Sequence, residues 1–242
     1  IPAEPLFRSI QFICGDAAHL WVPMAGYGMN AGIADAMNLS WTLAAYLKGW
    51  AGEKILDIYQ IERQPITSQV SKFAMNHAIQ LHKERQKVPA NIEDDSIEGE
   101  LSRNQFGQML YDLNVRQYCC SGLNFGYYYD QSPIIHYDSE TAPSYDMNVF
   151  TSSTVPGCRA PHFWLKDGSS LYDHLGLDYT LINFDDSSEC TALKEMAEKM
   201  RIPLTVLNLS EQMPKELGYK TKMVLVRPDQ HVAWRGDILP TD

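Results

Sequence analysis

The pattern of apolar and polar positions begins with a short run, Phe12-Ile13-Cys14, stopped by Gly15-Asp16. Such a run predicts a buried strand that opens onto a turn. The extended stretch starts near Ser9, and Pro2 and Pro5 mark irregular backbone before it. A loop containing Pro23, Gly26 and Gly28 then leads into a helix over residues 29–48. On it Ile33, Met37, Trp41, Ala44 and Leu47 recur at spacings of three and four, while Gly32, Ala36, Leu39 and Leu43 occupy the other faces. This predicts a helix enclosed nearly all round, stopped by Gly49. A second helix over 54–85 carries the stripe Tyr59, Ile66, Val70, Phe73, His77, Leu81, with a kink expected at Pro65.

The pattern then weakens. Residues 89–100 (PANIEDDSIEGE) are acidic and poor in large apolar side chains, which predicts a solvated linker, followed by a short amphipathic helix over 101–110. Residues 118–137 are rich in aromatics and read as a packing connector. From Gly157 the pattern alternates between strands and short helices. Ser169 or Ser170 is placed to cap a helix over 171–175, followed by a strand over 178–184, a helix over 190–200 and a strand over 204–209. The segments 222–226 and 232–235 form a hairpin about the turn Arg227-Pro228-Asp229-Gln230-His231. A βαβ unit closed by a hairpin fits a thioredoxin-like layout, and the chain as a whole reads as α/β.

Composition narrows the function classes. The chain has 242 residues, a net charge of -10 and no basic run, which argues against nucleic acid or an anionic membrane as the main partner. No apolar stretch reaches the length of a membrane span, and the start lacks the layout of a signal peptide, so a cytoplasmic protein is expected. Five cysteines without CxxC spacing indicate reduced thiols, and seven histidines without ligand spacing indicate no metal site. The terminal unit lacks the thiol pair of thioredoxin redox chemistry. It reads as a structural or oligomerisation domain, which allows a homodimer, with no catalytic residue assigned in it.

The candidate chemistry lies in residues 15–39. Gly26, Gly28 and Gly32 permit close backbone approach, and the helix N-terminus offers unpaired amides and a positive dipole end. Such an end suits an anion or an electron-rich ring. Elsewhere no GxGxxG follows a strand, so a dinucleotide-phosphate cradle is missing.

The run GDAAH at 15–19, then Pro23, then GYGMNAGIADAMNLSW at 26–41, resembles the second flavin-contacting motif of the class A FAD-dependent aromatic hydroxylases, the single-component flavoprotein monooxygenases. Residues 56–65 (LDIYQIERQP) are similar to that family's "LLDTYExERxP" helix, and 224–235 (VLVRPDQHVAWR) to its closing "LVRPDGxVAWR". The resemblance implies the C-terminal part of an FAD-binding domain (1–88), a linker and docking segment (89–150) and a thioredoxin-like domain without CxxC (151–242). It implies FAD as cofactor, NAD(P)H as co-substrate, O2 and a small aromatic substrate, with oxygen delivered through a flavin C4a-hydroperoxide. It also implies an N-terminal half of the same enzyme as partner, carrying the phosphate cradle and the substrate-covering sheet.

By the same resemblance Asp16 accepts hydrogen bonds from the ribityl chain, Gly28, Met29 and Asn30 present amides to the flavin pyrimidine edge, and Pro23 to Gly26 lie beside the ring. His19 is structural, while Asp35 and Asn38 tie the helix to the loop. A non-catalytic binding or oligomerisation module built on the terminal domain is the alternative.

Overall fold

The computed structural model describes residues 11–23, 26–185, 189–210 and 212–239. The expected start of the strand at Ser9, the prolines at 2 and 5, and Met24 and Ala25 of the loop lie outside the described residues. Residues 11–14 form no strand. Cys14 is extended (φ -142°, ψ 165°), but a strand exists only when a neighbour pairs with it, and among the described residues none does. The Tyr59 hydroxyl holds the segment by donating to the Ile13 carbonyl at 2.9 Å. A single 3-10 turn, Gly15–Ala17, follows.

Helix α1 spans Tyr27–Leu47 and starts from Gly26 in the left-handed conformation (φ 70°). Of the expected apolar stripe only Trp41 is buried; Ile33 (59% exposed), Met37 (44%) and Leu47 (72%) face outward, so the helix is not enclosed all round. The inner face carries Asp35, Asn38, Trp41, Thr42 and Ala45, all buried. Their spacing is as helical as that of the apolar set, and the polar side chains are accommodated because Asp35 and Asn38 find partners on the neighbouring turn and α2, while the Thr42 hydroxyl donates back to the Asn38 and Leu39 carbonyls of α1 itself.

A 3-10 turn at Glu53–Asp57 leads into α2, Ile58–Arg85, which continues unbroken through Pro65. Its inner face is Ile58, Glu62, Arg63, Ile66, Thr67, Val70, Ala74, His77 and Leu81. Ile66, Val70 and Ala74 pack with Tyr27, Cys120, Leu123, Tyr129 and Ile135 in one core. Trp41, Ala45, Ile55, Leu56 and Ile58 form a second.

The segment expected as an acidic linker and a short helix contains a long one, α3, Ile97–Tyr118. The Ser96 hydroxyl caps it by accepting from the Gly99 amide at 3.1 Å. Glu98 and Glu100 fall in its first turn, where negative charge favours the helix dipole. The acidic stretch is therefore divided: 89–96, with Glu93, Asp94 and Asp95, is irregular, and Glu98 and Glu100 belong to a helix start. Arg103 adds a brace by donating to the carbonyls of Ile92 and Asp94. A short helix α4, Ser121–Phe125, follows, and most of the aromatic connector beyond it is irregular.

The terminal unit holds α5 (Leu171–His174), β1 (Tyr179–Asn183), α6 (Glu189–Met200), β2 (Leu204–Asn208), β3 (Met223–Val226) and β4 (Val232–Gly236). Ser170, of the two candidate serines, caps α5, in a complete capping box with Asp173. The sheet order is β2-β1-β3-β4, with β1 parallel to β2 and the other pairs antiparallel. This is the thioredoxin-like arrangement of a βαβ unit and a hairpin. Alternation sends Ile182, Val224 and Val226 into one core with Phe163, Leu171 and Tyr219, and Leu181 and Met223 into another with Cys190; a register shift in the β3–β4 pairing lets β4 contribute Val232 to the first and Trp234 to the second.

The aromatic connector does pack, as its composition indicates. Tyr129 is buried against α2, and its backbone bonds to Gly157. His136 donates from its backbone to Ala233 of β4 at 2.8 Å, so the connector runs beside the sheet. At the start of β1 Tyr179 meets Trp41 and Trp50 edge-on.

Candidate functional site

Two glycines bring the Gly15–Ala17 turn onto α1. Gly15 has φ +58°, and a Cβ placed on Gly32 would lie 3.3 Å from its Cα. Only small residues on both sides allow this approach. The turn is then fixed by Asp35, one helical turn beyond Gly32. Its Oδ2 accepts from the Gly15 amide at 3.2 Å and lies 2.7 Å from His19 Nε2, and its Oδ1 accepts from Arg63 Nε at 2.9 Å. His19 and Asp35 thus take the structural roles expected of them.

Asp16, at the apex of the turn, is exposed, and its carboxylate has no partner among the described residues. Gly26 caps α1 without any side-chain hydrogen bond, and the first turn holds no acidic residue. The helix therefore keeps free amides at its start. Asn30 donates from its side chain to the Gly26 carbonyl at 3.0 Å, pinning the entry. Gly28 approaches Trp21, while Pro23, Met29 and Asn30 are exposed. All six expected contact residues, Asp16, Pro23, Gly26, Gly28, Met29 and Asn30, lie in this turn, the loop after it and the start of α1.

A buried polar cluster among the described residues has no role in the sequence reading. Glu62 and Arg63 are adjacent on α2, and both are buried. Arg227, in the β3–β4 turn, reaches Glu62 with both terminal nitrogens, at 2.6 and 2.7 Å. It also meets Asp229 at 2.6 Å and lies over the rings of Trp41 and Tyr129. Asn38 of α1 donates to Glu62 Oε2 at 2.7 Å. Arg63 lies over Tyr127, whose neighbour in the connector, Tyr129, packs on His231.

Burial works against the charge of Arg227, and Asp229 and Glu62 outweigh it, holding the guanidinium firmly protonated. Burial also opposes ionisation of Asp229, yet Arg227 and His231 pull its carboxyl well below the usual carboxylate range. The signal for this cluster was present in the stripe. Position 62 lies at helical spacing between Tyr59 and Ile66, so a charged residue there falls on the buried face and requires a partner.

Two cavities flank Arg63. One, of about 610 Å³, has His19, Trp21, Asp35 and Thr67 on its wall. The other, of about 590 Å³, is bounded by α1, α2 and the connector. Trp21 Nε1, Arg63 Nη1, Thr67 Oγ1 and Asn38 Oδ1 are buried along them without a partner among the described residues. No group of three or more potential metal ligands forms among the described residues, and no described helix is long and apolar enough to cross a membrane.

Residues 3–74 match the model of an FAD binding domain, and residues 153–241 match that of the aromatic-ring hydroxylase C-terminal domain. The two matches are thus to a domain that binds FAD and to the C-terminal domain of aromatic-ring hydroxylases. It is 33% identical over 241 residues to the FAD-dependent monooxygenase opdD of Penicillium oxalicum, covering 96% of this chain and 45% of that protein. Phenol 2-monooxygenase of a Pseudomonas species is 29% identical over 260 residues, covering 94% of this chain and 42% of that protein. The chain thus spans less than half the length of these curated relatives.

Among solved structures, the rebeccamycin biosynthetic enzyme RebC with reduced flavin superposes with a TM-score of 0.83 at 34% identity, covering 96% of this chain and 43% of RebC. The flavin-dependent monooxygenase PieE, in complex with FAD and substrate, gives a TM-score of 0.77 at 27% identity, covering 93% of this chain and 44% of PieE.

Proposed function

We propose that this chain supplies the flavin-facing turn and helix of an FAD- and NAD(P)H-dependent monooxygenase that hydroxylates a phenolic or other aromatic ring. The observation that carries the reading is the junction of the Gly15–Ala17 turn with the start of α1. There a free carboxylate and a helix N-terminus without a side-chain cap come from adjacent segments locked together by Asp35. The donor set fits FAD: the amides of Gly28, Met29 and Asn30 face a site where negative charge accumulates on reduction, and Asp16 accepts from ribityl hydroxyls. Pro23 and Gly26 shape the loop beside the ring.

When bound, FAD takes reducing equivalents from NAD(P)H and activates O2 for transfer to the ring. The chain's own part is to hold, orient and polarise the cofactor, and no general base is assigned among its residues. The remaining portion of the enzyme, as partner, brings the phosphate cradle and the substrate-covering sheet. The proposed division is 1–88, 89–150 and 151–242, supported by the end of α2 at Arg85 and by a terminal core that starts at Ala160. Five unpaired thiols support a cytoplasmic setting.

The test is titration of FAD into the chain combined with an N-terminal portion carrying the phosphate cradle, followed by flavin fluorescence. Asp16→Ala is expected to weaken binding by about 1–3 kcal/mol, the worth of one or two hydrogen bonds to a charged acceptor. Unchanged affinity would refute the role of Asp16, and absence of any FAD binding would refute the reading as a whole.

A further inference from the structure

The terminal domain has a thioredoxin-like sheet without a thiol pair, so its purpose must lie in what it touches. Its deepest contact with the helical part is Arg227, whose side chain is fully buried and divided between Glu62 and Asp229. Glu62 is shared in turn, since Oε2 accepts from both Arg227 and Asn38. The adjacent Arg63 donates to Asp35, and Asp35 holds the Gly15 amide and faces His19. A line of polar contacts, buried as far as Asp35 and part-buried at Gly15 and His19, therefore joins the β3–β4 turn to the Gly15–Ala17 turn, crossing α2 by one peptide unit and α1 by the single turn between Asp35 and Asn38.

We propose that Arg227 is a positioning residue for the Gly15–Ala17 turn, and that the terminal domain sets the placement of the cofactor-facing carboxylate of Asp16 through this line. The identity of the cofactor rests on the function proposed above, whereas the coupling does not. Three features make the line stiff. Arg227 binds Glu62 through two parallel bonds, which fixes orientation as well as distance. Glu62 and Arg63 are consecutive on a helix, so a rotation that releases one displaces the other. Asp35 is fully used: one oxygen faces α2 and the other the turn, so motion of Arg63 is delivered to Gly15 and not absorbed by a spare lone pair in water.

The cluster also explains why the domain is joined by charge where an apolar contact would suffice. Apolar side chains tolerate sliding, whereas a buried bidentate pair selects one register. Asp35, Glu62 and Asp229 face Arg63 and Arg227, with His19 and His231 at the two ends of the line.

The experiment is amide hydrogen exchange by NMR on this chain without FAD, comparing Arg227→Lys with Val224→Ala. Lysine keeps the charge and loses the two parallel bonds. Val224 lies in the sheet core away from the line, so its variant destabilises the same domain by a different route. In Arg227→Lys the exchange of the Gly15 amide should rise about tenfold and the His19 ring-proton resonance should shift, as expected for a local opening. In Val224→Ala both should stay at the parental values. Asp35→Asn, which cuts the line at its far end, should reproduce the Gly15 effect while the amides of 226–232 remain protected.

The proposal is overturned if Gly15 exchange is unchanged in Arg227→Lys, or if it rises equally in Val224→Ala. A positive exchange result combined with failure to bind FAD supports the coupling and sinks only the flavin reading.

Discussion

Neutralising Glu62 tests the buried ion cluster most directly. Glu62→Gln keeps the shape and one acceptor oxygen but removes a negative charge that Arg227 meets with two bonds at 2.6 and 2.7 Å, both side chains being fully buried. Breaking such a pair from one side costs about 3–5 kcal/mol, because the remaining charge stays buried without compensation. Here Arg227 retains Asp229, and the cluster passes from three carboxylates against two guanidiniums to two against two. The expected loss therefore falls near the lower end, about 3 kcal/mol.

Urea unfolding followed by tryptophan fluorescence measures it, and a cycle with Arg227→Met isolates the pairwise part, expected to be about 2–3 kcal/mol. A loss below about 1 kcal/mol, the value of a solvated surface pair, would refute the buried bidentate contact and with it the route proposed between the two domains.

Three other outcomes follow from the geometry. The depressed carboxyl of Asp229 gives stability that is fully present above its unfolded value of about 4 and is lost as pH falls below it; Asp229→Asn should flatten the acid limb of a stability–pH profile, and an unaltered limb would remove Asp229 from the acid response. Ser170→Ala should cost about 1 kcal/mol by removing the α5 cap and its capping box, read as a fall in the urea midpoint of the terminal domain; no change would show that the cap is redundant. A thiol reagent at neutral pH should modify exposed Cys119 before Cys158, whose thiol burial pushes up to about 11; mass mapping of the first modified peptide decides it, and early labelling of Cys158 would contradict its burial.

The sequence was most informative where period and turn chemistry agreed. In the terminal domain, the succession of short apolar runs at 178–184, 204–209 and 222–226 with a helix between the first two and a turn at 227–231 predicts the observed sheet within a residue or so at each end. Asp35, Asn38 and His19 were legible because their motif is ordered and long. The errors share a cause: a rule applied to one face or one segment without its partners. In α1 the apolar residues on several faces predict burial nearly all round, whereas the buried face is Trp41 and Ala45 with the polar set at 35, 38 and 42, and α2 supplies the partners of Asp35 and Asn38. At 89–100 acidity predicts a solvated linker, whereas only 89–96 is irregular and Ser96 makes the remaining four residues a helix start. Residues 11–14 carry a strand's composition without a paired neighbour among the described residues. The Glu62–Arg227 contact joins positions 165 apart, and no local pattern specifies such a pair.

That pair has a consequence for recombination. Domains joined by apolar contacts can often be exchanged between relatives, since any well-shaped surface serves. Here a transplanted terminal domain must bring Arg227 and Asp229 in the same turn and meet a helix that presents Glu62, Arg63 and, across from them, Asn38. A chimera that changes the turn alone would inherit an unpaired carboxylate in the interior of its host. The helix and the turn therefore form one unit of inheritance, and insertion of a single residue between Glu62 and Arg63 should be harder to accommodate than several residues added to the exposed chain at 176–177.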